Sequence, residues 1–195
     1  MKLLDRISAK RLIYIHAPAG FGKTFSVRLW LEHRGGASAW VAVNEIMGNR
    51  PADFFRRCAS AFMTLQPDNA ALREILAHDS FDAAPYEFMM RALSALNIPG
   101  QDNKQHYTYV IDDLHLIENL SILRFLAEHA LSPPDNVTVC ILSRAAPPDS
   151  FSDHVVKDSM SIVGVDNLVF SEEEIKSLFT ARGRSLTPKQ AHEVM

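Results

Sequence analysis

Leu12-Ile13-Tyr14-Ile15-His16-Ala17-Pro18-Ala19-Gly20-Phe21-Gly22-Lys23-Thr24 is the stretch whose reading decides the fold. Leu12 to His16 is an apolar, partly β-branched run that reads as a strand, and a helical pattern follows from Thr24 to His33. Between them, Ala17 to Thr24 fits G-x-x-x-x-G-K-[ST] everywhere except its first position, where Ala17 replaces Gly. Wrapping a triphosphate needs successive backbone N–H groups turned inward, and Gly20 and Gly22 permit the positive φ and close approach that a side chain blocks. Lys23 then reaches the β and γ phosphates and Thr24 offers its hydroxyl to Mg²⁺. The helix that starts there adds its positive dipole. A chance Gly-Lys-Thr in a loop is the competing explanation, and the flanking strand and helix argue against it.

Working outward, four more runs read as strands: Ala39 to Val43, Tyr107 to Ile111, Val137 to Leu142 and Met160 to Val163. Helical patterns lie between them. Thr24 to His33 places Phe25, Leu29 and Trp30 on one side and stops at Gly35-Gly36. Asp53 to Leu65 repeats Phe54 or Phe55, Cys58, Phe62 and Leu65 at helical spacing. Further helices are expected near Ala70 to Ala77, Tyr86 to Leu96 and Leu120 to Leu131, the last ending before Pro133-Pro134. Alternating strands and helices predict an α/β fold, a parallel sheet covered on both faces.

Two strand ends carry chemistry. Tyr107 to Ile111 delivers Asp112-Asp113, which resembles a Walker B element: Asp112 to hold Mg²⁺ through water, Asp113 to orient or activate an attacking water. Alone, an Asp-Asp pair after a strand reads as a turn or cap; beside the phosphate loop it reads as a site. His115 reads as solvated, with a sensing role the alternative. Val137 to Leu142 ends in Ser143-Arg144. Ligands of an open parallel sheet lie beyond the carboxyl ends of its strands, so all three elements converge on one crevice. Ser143 is a candidate hydrogen-bond donor to the γ-phosphate or the water, and Arg144 a phosphate partner or nucleotide sensor, a surface salt bridge being its bland alternative.

Composition narrows the class. The 195 residues are 47% hydrophobic and 22% charged, which excludes disordered and low-complexity chains, and correspond to about 1.3 domains at roughly 150 residues each. Net charge −3 supplies no global field for nucleic acid or anionic lipid. Cys58 and Cys140 lie far apart in apolar runs and read as buried free thiols of a reducing compartment. The eight His residues match no zinc spacing, and no run suits a bilayer span or signal peptide, so a cytoplasmic place is expected. Near the end, Ser171 with Glu174 and Thr187-Pro188 with Gln190 are helix-start signals. The expected division is a nucleotide-binding domain over residues 1–170 and the start of a truncated helical lid over 171–195, the chain reading as an N-terminal piece of a longer protein.

In order and spacing, APAGFGKT, YVIDDLHLI, ILSRAAPP and LVFSEEEIKSLFTARGRSLT resemble the nucleotide-binding domain of the STAND signal-transduction ATPases, specifically the large ATP-dependent LuxR-type (MalT-like) transcriptional regulators. The resemblance implies a three-layer P-loop NTPase with strand order 5-1-4-3-2, ATP or ADP with Mg²⁺, and a slow ATPase switch that self-associates when ATP-bound. It implies DNA contact only through an absent C-terminal domain, an inducer of unknown identity and no membrane. The residues assigned to nucleotide are Ala19, Gly20, Phe21, Gly22, Lys23, Thr24 and Phe25; to metal, Thr24 and Asp112; to catalysis, Asp113, Arg144 and Ser143. Phe25 stands where the family usually has a second Thr or Ser, and Asn44-Glu45 where it has Asp-Glu. Two alternatives stay open. One is a small-molecule kinase on the same loop, with Arg182 and Arg184 as lid candidates; the other is an ADP-binding interaction module using faces that carry Phe54, Phe55, Phe62, Phe88 and Met89.

Overall fold

The computed structural model describes residues 10–96, 106–130 and 136–168. Five strands, β1 (Leu12–His16), β2 (Ala37–Ala42), β3 (Tyr107–Asp112), β4 (Val137–Ser143) and β5 (Met160–Val163), form one parallel sheet in the order β2-β3-β4-β1-β5. This is the expected 5-1-4-3-2 order read from the other edge. β4 is buried along its whole length between β1 and β3, which is why it reads as an unbroken apolar run.

Side chains alternate across the sheet with period two, and each face has its own core. Leu12, Tyr14, Tyr109, Ile111, Val137, Val139 and Ile141 face one core; Ile13, Ile15, Val110, Cys140 and Leu142 face the other. The second core is closed by α1 (Lys23–Arg34) through Val27 and Trp30. The first is closed by α3 (Pro51–Leu65), α4 (Ala70–Ala77), α5 (Pro85–Ala95) and α6 (Leu120–Phe125), after a short α2 (Glu45–Asn49). Phe55 meets Phe54, Tyr86 and Phe125 edge-on at ring-centroid distances of 5.2, 5.0 and 4.7 Å. A short α7 (Ser152–Val156) precedes β5.

Several expectations are corrected. The buried face of α1 is Ser26, Val27 and Trp30, while Phe25 and Leu29 are only half-buried: the helix begins one residue earlier than expected, at Lys23, and Lys23 itself is turned inward. The expected helix from Leu120 is α-helical only to Phe125 and continues as a π-turn over Leu126–Ala130. Short α2 and α7 were not expected, being one turn long and carrying little apolar periodicity. Phe54, Phe55, Phe62, Phe88 and Met89 are all buried in the first core and offer no partner surface. Cys58 and Cys140 are free and buried, and burial pushes both thiols up to about 12. No helix among the described residues is long and apolar enough to cross a membrane. The helix-start signals at Ser171 and Thr187, Arg182, Arg184 and the division at residue 170 lie outside the described residues.

Candidate functional site

The loop from Ala17 to Gly22 leaves β1 and enters α1 with two left-handed glycines, Gly20 at φ 88° and Gly22 at φ 70°. Gly22 precedes the first helical residue and no side chain caps the helix, so its first N–H groups stay available to an anion. A Cβ on Gly20 would meet nothing within 4 Å, so Gly20 is required for its backbone angle and not for lack of room. Ala19, Gly20 and Phe21 form the exposed crest of the loop.

Lys23 is buried, and its Nζ donates to the carbonyl oxygens of Ala17 at 2.6 Å and Pro18 at 3.0 Å. Burial holds the ammonium below its usual pKa and the charge of Arg144 adds to this, while Asp112 and Asp113 oppose. At the second residue of the helix, Thr24 Oγ1 donates to Asp112 Oδ2 at 3.0 Å. The phosphate loop and the acidic strand end thus touch directly, although β4 separates their strands. Asp112 is buried at the end of β3, accepts the Asp113 N–H on Oδ1 at 2.9 Å and presents its carbonyl to Val43 N at 2.9 Å. Burial raises its pKa above the ordinary carboxylate value and the charge of Asp113 adds to that; the Thr24 and Asp113 hydrogen bonds and Lys23 pull it down.

A raised folded pKa means that the folded chain holds the Asp112 proton more tightly than the unfolded chain does. Stability from this group is therefore complete below the ordinary carboxylate value and is lost as pH rises through the folded value. Asp112→Asn should accordingly gain stability relative to wild type as pH is raised from 4 towards 8 in the absence of ligand. Urea unfolding at both pH values checks this; a difference that does not change with pH would contradict it.

Asp113 adopts a left-handed backbone, φ 59° and ψ 39°, and opens a 3-10 turn over Leu114–Leu116. Its side chain is partly exposed and its Oδ1 lies 3.8 Å from His115 Nδ1. Burial holds the His115 ring below its usual pKa range; Arg144 and Lys23 add to that, Asp113 and Asp112 oppose. The turn is braced from behind by α2. Asn44 caps that helix by accepting Met47 N–H at 2.9 Å, and a Cβ on Gly48 would come within 2.4 Å of the Leu116 carbonyl oxygen. Because the obstacle is backbone, Gly48→Ala must push α2 or the turn aside. A loss of about 1–3 kcal/mol is expected, read by urea unfolding, together with lower hydrolysis if Asp113 moves. Sequence reasoning missed Gly48, since nothing local distinguishes it from a helix-breaking glycine.

Arg144 is exposed at the end of β4, close enough to Lys23 and His115 to depress both. Ser143 precedes it as the last residue of β4. It is 1% exposed, its Oγ accepts the Ala145 N–H at 3.1 Å, and its carbonyl accepts the Ala17 N–H at 3.3 Å. Its present contacts hold the β4 turn and the root of the phosphate loop. Phe25 is half-buried on the first turn of α1. Gly20, Gly22, Lys23, Thr24, Asp112, Asp113 and Arg144 are therefore brought to one end of the sheet. Their donors and oxygens suit a phosphate chain with a hard cation: backbone N–H groups and an ammonium for the anion, hydroxyl and carboxylate for Mg²⁺.

No protein-family model matches the chain. Among curated proteins, the HTH-type transcriptional regulator MalT of Serratia proteamaculans is 30% identical over 188 residues, 91% of this chain and 20% of that protein. MalT of Vibrio campbellii is 31% identical over 187 residues, 93% of this chain and 20% of that protein. The chain spans about a fifth of the length of these relatives. Among solved structures, the Orc1 protein of Aeropyrum pernix in complex with DNA matches with TM-score 0.53 at 13% identity, over 93% of this chain and 47% of that one. Cdc6p of Pyrobaculum aerophilum matches with TM-score 0.51 at 13% identity, over 95% of this chain and 49% of that one. At such identity these show the fold alone. The resemblance carried by the motifs therefore holds, and this chain is a homologue of the MalT-type transcriptional regulators over one segment of their length, built on a P-loop α/β sheet.

Proposed function

We propose that this chain is the ATP-binding, slowly hydrolysing switch domain of a LuxR-type regulator. The observation that carries the reading is the 3.0 Å hydrogen bond from Thr24 to Asp112, which joins the phosphate loop to the acidic strand end beside a buried lysine. In this reading Gly20, Gly22 and the first N–H groups of α1 wrap the phosphates, with Ala19, Phe21 and Phe25 lining the approach. Lys23 exchanges its two carbonyl partners for phosphate oxygens. Thr24 and Asp112 hold Mg²⁺, which when bound neutralises charge on the β and γ phosphates. Asp113 orients the attacking water, and Arg144, with Ser143 fixing the turn behind it, senses the γ-phosphate. A preference for adenine is what the resemblance to the MalT-like family implies. Slow turnover suits a switch that needs a long-lived triphosphate state.

The finer domain reading, residues 1–170 for nucleotide and the start of a helical lid at 171–195, belongs to the same proposal. So does ATP-driven self-association of the full-length protein, with DNA contacted through another domain. Calorimetric titration of the chain with ATP and ADP, with and without Mg²⁺, tests it. One saturable site whose affinity for ATP depends on Mg²⁺ is expected, with no stimulation of ADP release by small phosphate acceptors. Failure of the folded chain to bind either nucleotide, or acceptor-dependent turnover, would overturn it.

A further inference from the structure

Tyr14 is a buried polar side chain that the proposed chemistry leaves unused. It stands in the middle of β1, 1% exposed, with its ring in the first core and edge-on to buried Phe151 at a centroid distance of 6.3 Å. A phenol at that depth needs a hydrogen-bond partner, and Tyr14 finds two in one place. Its hydroxyl donates to the carbonyl oxygens of Ala145 and Ala146, each at 3.2 Å. Burial raises the phenol above its usual pKa, with the Ser143 hydroxyl opposing, so the group stays a neutral donor at physiological pH. Both carbonyls belong to the turn that opens with Arg144. The side chains of Ala145 and Ala146 are exposed and bury nothing that would hold this turn. It is fastened instead from two sides: Ser143 Oγ accepts the Ala145 N–H at 3.1 Å, and Tyr14 draws the next two carbonyls back onto β1. The same strand runs into the phosphate loop, where Ala17 N donates to the Ser143 carbonyl at 3.3 Å. One strand thus sets both the phosphate cradle and the base of Arg144.

Arg144 needs such a hold. Its side chain is exposed, and among the described residues its guanidinium has no ion-pair partner. Where it reaches is decided by the backbone of its turn. We infer that Tyr14 is a positioning residue: its hydroxyl, by holding the Ala145 and Ala146 carbonyls, fixes the backbone from which Arg144 reaches the γ-phosphate and so sets how strongly the site favours ATP over ADP. A turn released from Tyr14 lets the guanidinium swing, and a displacement of about 1 Å is enough to spoil a charge-assisted contact. ADP, which has no γ-phosphate, does not feel the change. The inference rests on the reading of Arg144 as a sensor given above and extends it to a side chain buried beneath the site.

Tyr14→Phe removes the hydroxyl and keeps the ring against Phe151. In calorimetry of the whole chain with Mg²⁺, this variant should bind ATP about threefold to tenfold more weakly and ADP within about twofold of wild type. The ATP-to-ADP affinity ratio then moves towards that of Arg144→Ala. In an Arg144→Ala background, Tyr14→Phe should leave the ratio where it is, because the group it positions is gone. Urea unfolding of the same proteins separates a purely structural hydroxyl, which lowers stability in both backgrounds and leaves the ratio untouched. An untouched ratio, equal losses for ATP and ADP, or a further fall of the ratio in the Arg144→Ala background would overturn the assignment.

A second readout does not depend on nucleotide. In ¹⁵N relaxation of the free chain, the amides of Arg144, Ala145 and Ala146 should have order parameters of about 0.85 in the wild type and below about 0.6 in Tyr14→Phe. Equal order parameters in the two proteins would reject the brace whatever the affinities. Loosened amides together with a ratio that Arg144→Ala does not alter would reject the sensing role of Arg144, and with it the ATP preference assigned to Tyr14, while the brace itself stands.

Discussion

Lys23→Ala is expected to lower the affinity for ATP and ADP by at least about a hundredfold while the chain stays folded. Among the described residues the Lys23 ammonium is the side-chain cation held inside the loop, and hydrogen bonds from a charged donor contribute about 1.5–3 kcal/mol each. Losing contacts to two phosphates is then roughly 3 kcal/mol or more, which corresponds to two orders of magnitude in Kd. Folding should suffer little. The ammonium is disfavoured by burial, and what it holds in the free chain is only two loop carbonyls, those of Ala17 and Pro18. The two effects separate in one thermal experiment. At about 100 times Kd of ligand the wild type should gain roughly 2.7 kcal/mol, a Tm rise of about 5–10 °C for a chain of this size. The variant should show almost no rise at the same concentration, with an unliganded Tm near that of the wild type. An equal ligand-induced rise in both proteins would place the nucleotide elsewhere.

Asp113→Asn should produce the opposite split: nucleotide affinity retained within about threefold and hydrolysis lowered by about 10²–10⁴, the range for loss of a positioned acid–base group. Asn tolerates the left-handed backbone that Asp113 adopts, so the substitution removes charge without disturbing the turn. Asp113→Gly sharpens the point. Glycine adopts φ 59° without steric cost, so this variant should be inactive yet at least as stable as wild type, by up to about 1 kcal/mol. Single-turnover rates with radiolabelled ATP, set beside urea unfolding of the same preparations, provide both numbers. A glycine variant markedly less stable than wild type would show that the Asp113 side chain is a structural cap and no part of the chemistry.

These predictions draw unequally on sequence and structure. The five strands are legible from sequence because each is a short, largely apolar and often β-branched run, and β1 and β5 have the expected bounds. Elsewhere the ends drift. β2 begins at Ala37, two residues before the expected start, because it pairs with β3 from the Ala37↔Tyr107 register onward, and a pairing partner leaves no mark in the local pattern. The phosphate loop and the acidic strand end are legible for a different reason. Phosphate wrapping demands glycine at positive φ next to a lysine and a hydroxyl, a requirement that is local in sequence.

What the chain alone determined is the set of chemical groups and the strands that carry them: Gly20, Gly22, Lys23 and Thr24 after β1, Asp112 and Asp113 after β3, and Arg144 after β4. Only the tertiary structure decided how those groups meet. It joined Thr24 to Asp112 across an intervening strand, turned Ser143 inward to hold a turn, braced the Asp113 segment against Gly48, and sealed His115 Nδ1 beside Asp113. The reason is physical. Backbone angles and apolar periodicity are governed by neighbours within a few residues, whereas burial and hydrogen-bond partnership depend on atoms brought together from distant parts of the chain.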